Sequence, residues 1–261
     1  MGAPTYAFGN AEQMQRERLR TLETLFDPGT IAHLQACGVA PGWHCLEVGA
    51  GGGSIAHWLA DRVGPDGSVL ATDLDATALR DLARPNLDVR AHDVLTDELP
   101  ASRFDLIHLR LVLAWLADPA EALQRLIAAL RPGGWLVDEE LDFVSSVPDP
   151  RTPGASFERV VRAHGAALAQ RSGFHSAYGR RVAGDFEEAG LVECGCEGRV
   201  SMWRGGQAGG RIWALTLVQL REPMIATGLA DADDIDAVLE LCGNPGMSVM
   251  SPVLMSVWGR R

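Results

Sequence analysis

Apolar residues along this chain recur in two patterns, as short runs and at intervals of three or four positions. Short, largely apolar runs such as Cys45–Val48 and Ser68–Thr72 are typical of strands that are buried on both faces of a parallel sheet. The helical spacing of Ile55, Leu59 and Val63 predicts the buried face of a helix. Because strands and helices alternate, the chain is predicted to form an α/β fold with a doubly wound, mostly parallel sheet.

Seven segments have the pattern of strands and supply the predicted seven-stranded sheet. They lie near residues 45–48, 68–72, 87–90, 104–110, 135–140, 191–200 and 247–258. Helices are predicted near residues 10–26, 27–38, 54–63, 119–129, 156–170, 179–189, 208–228 and 231–241. Asn10 is the predicted cap of the first helix, and Asp27-Pro28 is predicted to start the second. Asp118 marks the clearest helix start, because Pro119 follows it in the first turn and Glu121 stands at the capping-box position.

The bend after the first strand is the most informative stretch for function. Glycines at 49, 51 and 53 remove the side chains that would keep a ligand away from the backbone. The bend opens a helix, and the first N–H groups of a helix lack partners and favour an anionic group. The dinucleotide fingerprint requires glycines at relative positions one, three and six, but Ser54 stands at the sixth place here. This spacing argues against a NAD-binding oxidoreductase.

A carboxylate follows the second predicted strand at Asp73. Since the carboxyl ends of neighbouring parallel strands lie at the same edge of a sheet, we expect Asp73 beside the glycine bend. There it can accept hydrogen bonds from both hydroxyls of a ribose. Asp75, two residues later, instead has the position of an N-cap for the next helix.

Several motifs stand in a fixed order along the chain. They are Glu47–Gly53, Asp73, Asp93, Phe104-Asp105 and Leu130-Arg131-Pro132-Gly133-Gly134. This series resembles the class I S-adenosylmethionine-dependent methyltransferases, and more closely their small-molecule, ubiquinone-biosynthesis-like members in secondary metabolism. The resemblance runs from about residue 40 to about residue 142, and it implies a Rossmann-like methyltransferase fold with a helical cap.

The resemblance implies S-adenosyl-L-methionine as the cofactor and a role for each matching residue. The implied cofactor-binding residues are Glu47, Gly49, Ala50, Gly51, Gly53, Asp73, Leu74, Asp93, Val94 and Leu109. In this interpretation the glycine backbone carries the amino-acid portion, Glu47 organises the bend, and the Leu109 backbone faces the ammonium group. Asp73 holds the ribose, and Asp93 accepts a hydrogen bond from the adenine amine. Leu74 and Val94 flank the adenine ring. For Asp93 the alternative of a simple turn cap stays open.

The residue that would accept a proton is less clear from the sequence. Many members of the family carry a histidine pair just beyond the fourth strand, where this chain has Ala114-Trp115. Arg110 and Glu139 are the candidate catalytic residues, the first to meet a substrate anion and the second to accept a proton or hold a cation. Glu139 and Glu140 are predicted to end the fifth strand on opposite faces, with one of them in the cleft. Alignment of the reactants without a base is the alternative.

Substrate binding is predicted outside the motifs. Residues 1–39 are expected to form a helical lid in which Tyr6 and Phe8 reach over the ligand, or else a helix packed on the sheet edge. Residues 40–142 form the expected cofactor core, 143–178 a cap above the strand ends, and 179–261 the rest of the sheet with its helices. Trp213 and neighbouring aromatic and methionine residues could line a pocket or simply fill the core. For His164 and His175, surface or packing roles are the preferred interpretation.

Composition limits the class of partner. The formal charge is -11, from 23 basic and 34 acidic residues, so nucleic acid is disfavoured as a substrate. No apolar run reaches membrane-spanning length, and five cysteines without framework spacing indicate a reducing, cytoplasmic setting. Cys194 and Cys196 are expected to be buried strand residues, and no metal site is predicted. Oligomeric state is left open.

The sequence therefore predicts methyl transfer to oxygen, nitrogen or carbon of a small, apolar or aromatic metabolite, with a place in natural-product biosynthesis. Leu109-Arg110-Leu111 stands where nucleic-acid methyltransferases carry an Asn-Pro-Pro or Asp-Pro-Pro run. A protein that binds the cofactor without transferring its methyl group, as in a rearrangement or cyclisation, is the alternative. A NAD-binding oxidoreductase is a second, less favoured alternative.

Overall fold

The computed structural model describes residues 12–152 and 154–261. The strands are β1 His44–Val48, β2 Ser68–Asp73, β3 Leu87–Ala91, β4 Phe104–Arg110, β5 Leu130–Asp142, β6 Val192–Arg199, β7 Met202–Arg204, β8 Ser248–Met250 and β9 Val253–Arg260. The α-helices are α1 Glu12–Ala36, α2 Ser54–Val63, α3 Pro119–Ala129, α4 Ala155–Ser172, α5 Val182–Glu188, α6 Ala208–Ala226 and α7 Ala232–Gly243. Strands and helices alternate as the apolar pattern predicts.

Seven strands form one sheet in the order β3-β2-β1-β4-β5-β9-β6. The pairs from β3 to β5 are parallel, whereas β9 runs antiparallel to both of its neighbours. This confirms the predicted doubly wound, mostly parallel, seven-stranded sheet. Strands β1 to β3 are added toward one edge of the sheet, and β4 and β5 are added on the other side of β1. The carboxyl ends of β1 and β4 therefore border the crevice where open α/β sheets bind ligands.

Both faces of the sheet are covered, which explains the near-continuous apolar character of its central strands. Cys45 and Leu106 pack with α2 on one face, whereas their neighbours Leu46 and Ile107 belong to the larger core on the other face. Helix α1 contributes Phe26 to the larger core and ends against the smaller one. It therefore passes from one face of the sheet to the other.

The main error of the sequence prediction concerns α1. Two helices divided at Asp27-Pro28 were expected, but one helix continues through Pro28. A proline inside a helix removes one backbone hydrogen bond. Asp27 and Thr30, which flank it, make side-chain hydrogen bonds to Arg110 and so hold this part of the helix to the sheet. Tyr6, Phe8 and the predicted cap Asn10 lie outside the described residues.

Smaller differences concern strands and cysteines. The predicted last strand is divided into β8 and β9, and β8 pairs with β7, which was not predicted. Strand β5 extends to Asp142, so Glu139 and Glu140 do not end it. Cys194 is half-buried and Cys196 is exposed on the edge strand β6, contrary to the expected burial. Within the described ranges, no helix combines the length and apolarity needed to cross a bilayer.

Candidate active site

The glycine bend joins β1 to α2 and has the backbone conformation that its sequence predicts. The φ values of Gly49, Gly51 and Gly53 are 67°, 56° and 85°. Residues other than glycine rarely adopt such positive φ values. A Cβ atom on Gly49 would also lie 2.5 Å from a methyl carbon of Val112. Gly53 is the N-cap of α2 and supplies no side-chain capping bond. The bend thus brings bare backbone to the start of a helix.

Asp73 lies beside this bend, as predicted from its place after β2. The Gly51 N–H donates to Oδ2 of Asp73 over 3.0 Å, and the Asp75 N–H donates to Oδ1 over 3.2 Å. Burial raises the pKa of the Asp73 carboxyl, although these backbone bonds oppose the shift. A carboxylate has about four acceptor positions. The Gly51, Asp75 and Leu74 N–H groups bond to this one, which leaves room for a ribose hydroxyl. The residues present therefore fit the adenosine part of the expected cofactor.

The other residues predicted to hold the cofactor occupy varied environments. Asp93 forms a turn in which its Oδ1 accepts from the Leu95 N–H over 2.9 Å, so the local capping role is present. Leu74 is 61% exposed, whereas Val94 is 5% exposed. Leu109 is fully buried and lies between β1 and β5 in the ladder. Asp75 caps a short 3-10 helix through Thr77, as predicted for it.

Helix α1 covers the glycine bend. A Cβ on Gly51 would lie 3.1 Å from Leu19, and one on Gly52 would lie 2.2 Å from Oε1 of Glu23. Glu23 also hydrogen-bonds to Ser54 at the start of α2, and burial raises the pKa of its carboxyl. A side-chain carboxylate therefore already stands at the helix N-terminus that favours anions. The helix packs over the bend as well as against the sheet.

A buried histidine connects β1 to β5 through two carboxylates. His108 Nδ1 lies 2.7 Å from Oε2 of Glu47, and its Nε2 lies 3.6 Å from Oε2 of Glu139. Burial alone would lower the pKa of His108, but the two carboxylates together outweigh it and raise the pKa to about 9. His108 is thus a buried cation at neutral pH.

Glu139 continues this chain of contacts to α1. Its Oε1 accepts from the Ser256 hydroxyl over 2.5 Å, and its Oε2 accepts from the Thr30 hydroxyl. The Thr30 oxygen accepts in turn from Arg110 over 2.8 Å, and Arg110 donates to Asp27 over 2.9 Å. We call Glu47, His108, Glu139, Thr30, Arg110 and Asp27 the buried charge chain. The buried charge chain ties α1 to the sheet behind the glycine bend.

The pKa of Glu139 reflects the same contacts. Burial would raise it, but the nearby His108, whose Nε2 lies 3.6 Å away, and then the charge of Arg110 lower it to about 2. Glu139 is therefore ionised, yet its side chain has no exposed area. Arg110 is engaged by Thr30 and Asp27 rather than open to the cleft.

Glu140 points to the opposite face of β5, as predicted, and is also fully buried. Its Oε1 accepts from the Val112 and Ala114 N–H groups over 2.9 and 3.2 Å. Burial outweighs these bonds and raises the pKa of Glu140 to about 8. The same cause raises the pKa of Asp138 well above its usual range. Glu140 thus holds the turn after β4 in place.

The predicted cap follows β5. Its α4 begins within one residue of the predicted start, although Pro153 in the preceding loop lies outside the described residues. The backbone of His175 donates to the Ala114 carbonyl, and that of Phe143 donates to the Ser176 carbonyl. Trp213 and Met224 on α6 are buried, whereas Met202 on β7 is 47% exposed. The described residues hold no cluster of three or more metal-ligating side chains.

The sheet order, the antiparallel β9, the glycine bend and the acidic residue at the end of β2 are features of the Rossmann-like methyltransferase fold. The sequence profile of the methyltransferase domain matches residues 46–136. The match contains the bend, Asp73, Asp93 and three of the six residues of the buried charge chain, Glu47, His108 and Arg110.

Similar proteins agree with this assignment. "Methyltransferase str2" of Strobilurus tenacellus is 39% identical over 102 residues, 39% of this chain and 36% of that protein. The ubiquinone/menaquinone biosynthesis C-methyltransferase UbiE of Laribacter hongkongensis is 32% identical over 110 residues, 40% of this chain and 45% of its own. The structure of a Haemonchus contortus phosphoethanolamine N-methyltransferase 2 with S-adenosylhomocysteine covers 96% of this chain with a TM-score of 0.59 and 14% identity. This chain spans 58% of that structure and less than half of the two other proteins.

Proposed function

We propose that this protein transfers the methyl group of S-adenosyl-L-methionine to oxygen, nitrogen or carbon of a small, apolar or aromatic metabolite, in natural-product biosynthesis. The observation that carries the proposal is the hydrogen bond from the Gly51 N–H to Asp73, which joins the bare glycine backbone to a ribose-binding carboxylate. The name of the Laribacter protein, which refers to quinone biosynthesis, supports an apolar substrate. The names of similar proteins include C-, N- and O-methyltransferases, so all three acceptor atoms stay in the proposal.

When bound, S-adenosylmethionine supplies an electrophilic methyl group on a sulfonium. We assign the backbone of Gly49, Ala50, Gly51 and Gly53 to its amino-acid portion, with the Leu109 backbone toward the ammonium. Asp73 holds the ribose. Asp93 accepts from the adenine amine, and Leu74 and Val94 flank the ring. The contribution of the protein is to align the reactants and exclude water, which in favourable cases lowers a barrier by ~7 to 11 kcal/mol.

Among the predicted catalytic residues, Glu139 and Arg110 have buried partners that favour a structural role. We propose that the buried charge chain, including Glu47, fixes the glycine bend and holds α1 above it. Methyl transfer in this proposal depends on alignment, and neither Arg110 nor Glu139 needs to accept a proton.

Two measurements test the function. Calorimetry with S-adenosylhomocysteine and with NAD is expected to show binding of the first alone, and binding of NAD alone would overturn the proposal. Incubation with methyl-labelled cofactor and a panel of phenols, amines and quinones is expected to label at least one acceptor. Tight cofactor binding with no label transferred to any of them would favour the alternative of a cofactor-binding protein without transfer activity.

A further inference from the structure

Two buried nitrogens between α4 and α6 have no hydrogen-bond partner among the described residues. They are Nδ1 of His164 on α4 and Nε1 of Trp213 on α6. The residues are 4% and 3% exposed, and their ring centroids lie 5.5 Å apart. Burial of a polar atom without a hydrogen-bond partner is unfavourable, so an apolar residue would fill either position at lower cost. Unsatisfied buried groups of this kind call for a functional explanation.

Aromatic rings connect these nitrogens to the cofactor site. The series begins at Trp115, in the turn after Val112, whose side chain lies against Gly49. Successive centroid distances are 4.4 Å for Trp115 to Phe174, 6.3 Å for Phe174 to Phe143, 5.0 Å for Phe143 to His164 and 5.5 Å for His164 to Trp213. We call Trp115, Phe174, Phe143, His164 and Trp213 the ring series. It leads from the strand ends into the cap.

A cavity of about 340 Å³ opens beside the ring series. Phe143 lines it together with Val161 and Gly165, which flank His164 on α4. Phe143 thus borders the cavity, and its ring contacts the ring of His164, which does not itself line the cavity. The volume falls within the ~300–1,000 Å³ of small-molecule sites, at the low end, where one or two fused rings fit.

Charge around His164 keeps its ring neutral. Burial, followed by the charge of Arg18 on α1, lowers the pKa of His164 to about 3. Arg18 itself donates to Thr216 on α6 over 2.9 Å. A neutral imidazole offers one acceptor nitrogen and one donor nitrogen, whereas the Trp213 indole offers a donor only. A hydroxyl group can satisfy both residues at once, because it donates one hydrogen bond and accepts another.

We propose that the cavity and the ring series bind the methyl acceptor, and that this acceptor is a planar aromatic compound carrying a hydroxyl group. Its rings stack among those of the series, and its hydroxyl donates to His164 and accepts from Trp213. The inference rests on the proposed function, which it narrows to hydroxylated aromatic substrates. Insertion of the ligand requires Phe143 to rotate away from His164.

Calorimetry with 2-naphthol and its methyl ether, 2-methoxynaphthalene, tests the proposal, since the two probes share their rings and only the first has a donor. In the presence of S-adenosylhomocysteine, the wild-type protein is expected to bind 2-naphthol at least tenfold more tightly than the ether. His164→Phe keeps a ring of similar shape and is expected to reduce this preference below twofold. His57→Phe, on α2, is the matched control and should keep the preference.

Further measurements keep the proposal decisive if a variant fails to fold. In the wild-type protein, titration with 2-naphthol is expected to shift the ring resonances of His164 in NMR spectra, and the ether should shift them less. Equal affinity for both probes, or no binding of either, would overturn the inference. Binding of S-adenosylhomocysteine, measured separately on the same samples, tests the proposed function. If S-adenosylhomocysteine does not bind, the titration with 2-naphthol in the absence of cofactor still shows whether the cavity and the ring series bind a hydroxylated aromatic compound.

Discussion

Asp73 is expected to combine two roles on one carboxylate, of which the structure shows the first. It accepts from the Gly51 and Asp75 backbone, and in the proposed function it also accepts from the ribose. Local sequence was enough to predict its position, since a carboxylate directly after a buried strand must lie at the edge shared with the glycine bend. The caps at Asp75 and Asp118 were predictable for the same reason, because a cap bonds within a few residues of itself.

Replacement of Asp73 gives the sharpest test at the residue scale. Asp73→Ala removes the proposed ribose acceptor and leaves the Gly51 N–H without its partner. We expect the affinity for S-adenosylhomocysteine to fall by more than ~1 kcal/mol, because hydrogen bonds to a charged group contribute about 1.5–3 kcal/mol. Titration calorimetry measures this. Asp88→Ala, which changes an exposed aspartate paired with Arg90 on β3, is the control and should bind normally. Wild-type affinity in Asp73→Ala would contradict the ribose assignment.

The contacts of His108 show where prediction at the residue scale stops. Glu47 and Glu139 lie 61 and 31 positions away from it, and only the pairing of β1, β4 and β5 brings the three side chains to one face. A histidine in an apolar strand and a glutamate before a glycine bend are separately visible in the sequence. That they form one ion cluster depends on register, which the apolar pattern alone leaves unspecified.

At the scale of the element, α1 depends on its contacts more than on its own sequence. Proline in a helix interior disfavours the helix by roughly 3 kcal/mol, yet α1 continues through Pro28. Residues on both sides of the proline are fixed to Arg110, and Leu19 and Glu23 pack on the glycine bend. Local signals therefore predicted a break that the tertiary contacts override.

Thr30 is the position at which this dependence is most directly measured. Thr30→Val preserves the side-chain shape but removes the hydroxyl that donates to Glu139 and accepts from Arg110. We expect the free energy of unfolding to fall by about 1–3 kcal/mol, because a buried acceptor and a donor lose their shared partner. Urea denaturation measures this change. Thr24→Val on the same helix removes an exposed hydroxyl bonded only within α1, so it should change stability by less than ~0.5 kcal/mol. Equal effects of the two substitutions would show that the buried charge chain does not anchor α1.

The pairing of β7 with β8 was beyond prediction for a related reason. Each strand has only three residues, and their partners Met202 and Met250 are 48 positions apart. Short segments carry too few alternations to distinguish a strand from a loop. The ends of the longer helices α4, α6 and α7 were predicted to within two residues, because several turns of helical spacing reinforce one another.

At the scale of the whole molecule, five buried groups contribute most to the dependence of stability on pH. Asp138 is one of them, and its raised pKa means that the folded state binds its proton more tightly. The pKa values of His108 and Glu140 are raised from 6.5 to about 9 and from 4.5 to about 8, so the folded state binds these protons more tightly. The pKa values of Glu139 and His164 are lowered from 4.5 to about 2 and from 6.5 to about 3, so the unfolded state binds those more tightly. Stability therefore rises with pH below 4.5 and falls between 6.5 and 9.

We expect a maximum in the free energy of unfolding near pH 4.5, because above this pH the contributions of Glu140 and Asp138 outweigh the opposing contribution of His164. Denaturant titrations across pH 3 to 9 measure the profile. In His108→Gln the fall above pH 6.5 should become shallower, whereas Glu140 preserves part of it. A profile that rises from pH 6.5 to 9 would show that His108 is not held as a cation in the folded protein.

Strand β9 has a further consequence, for the order in which the protein folds. It follows every other strand along the chain, yet in the sheet it lies between β5 and β6. Until β9 is synthesised, β6 has no partner in the sheet, and Glu139 lacks Ser256, which is 117 positions away. Closing so long a loop is entropically costly and slows folding. Before β9 pairs, the chain therefore exposes an unpaired edge of β5 beside the buried charge chain, and the site behind the glycine bend is complete only when β9 has joined the sheet.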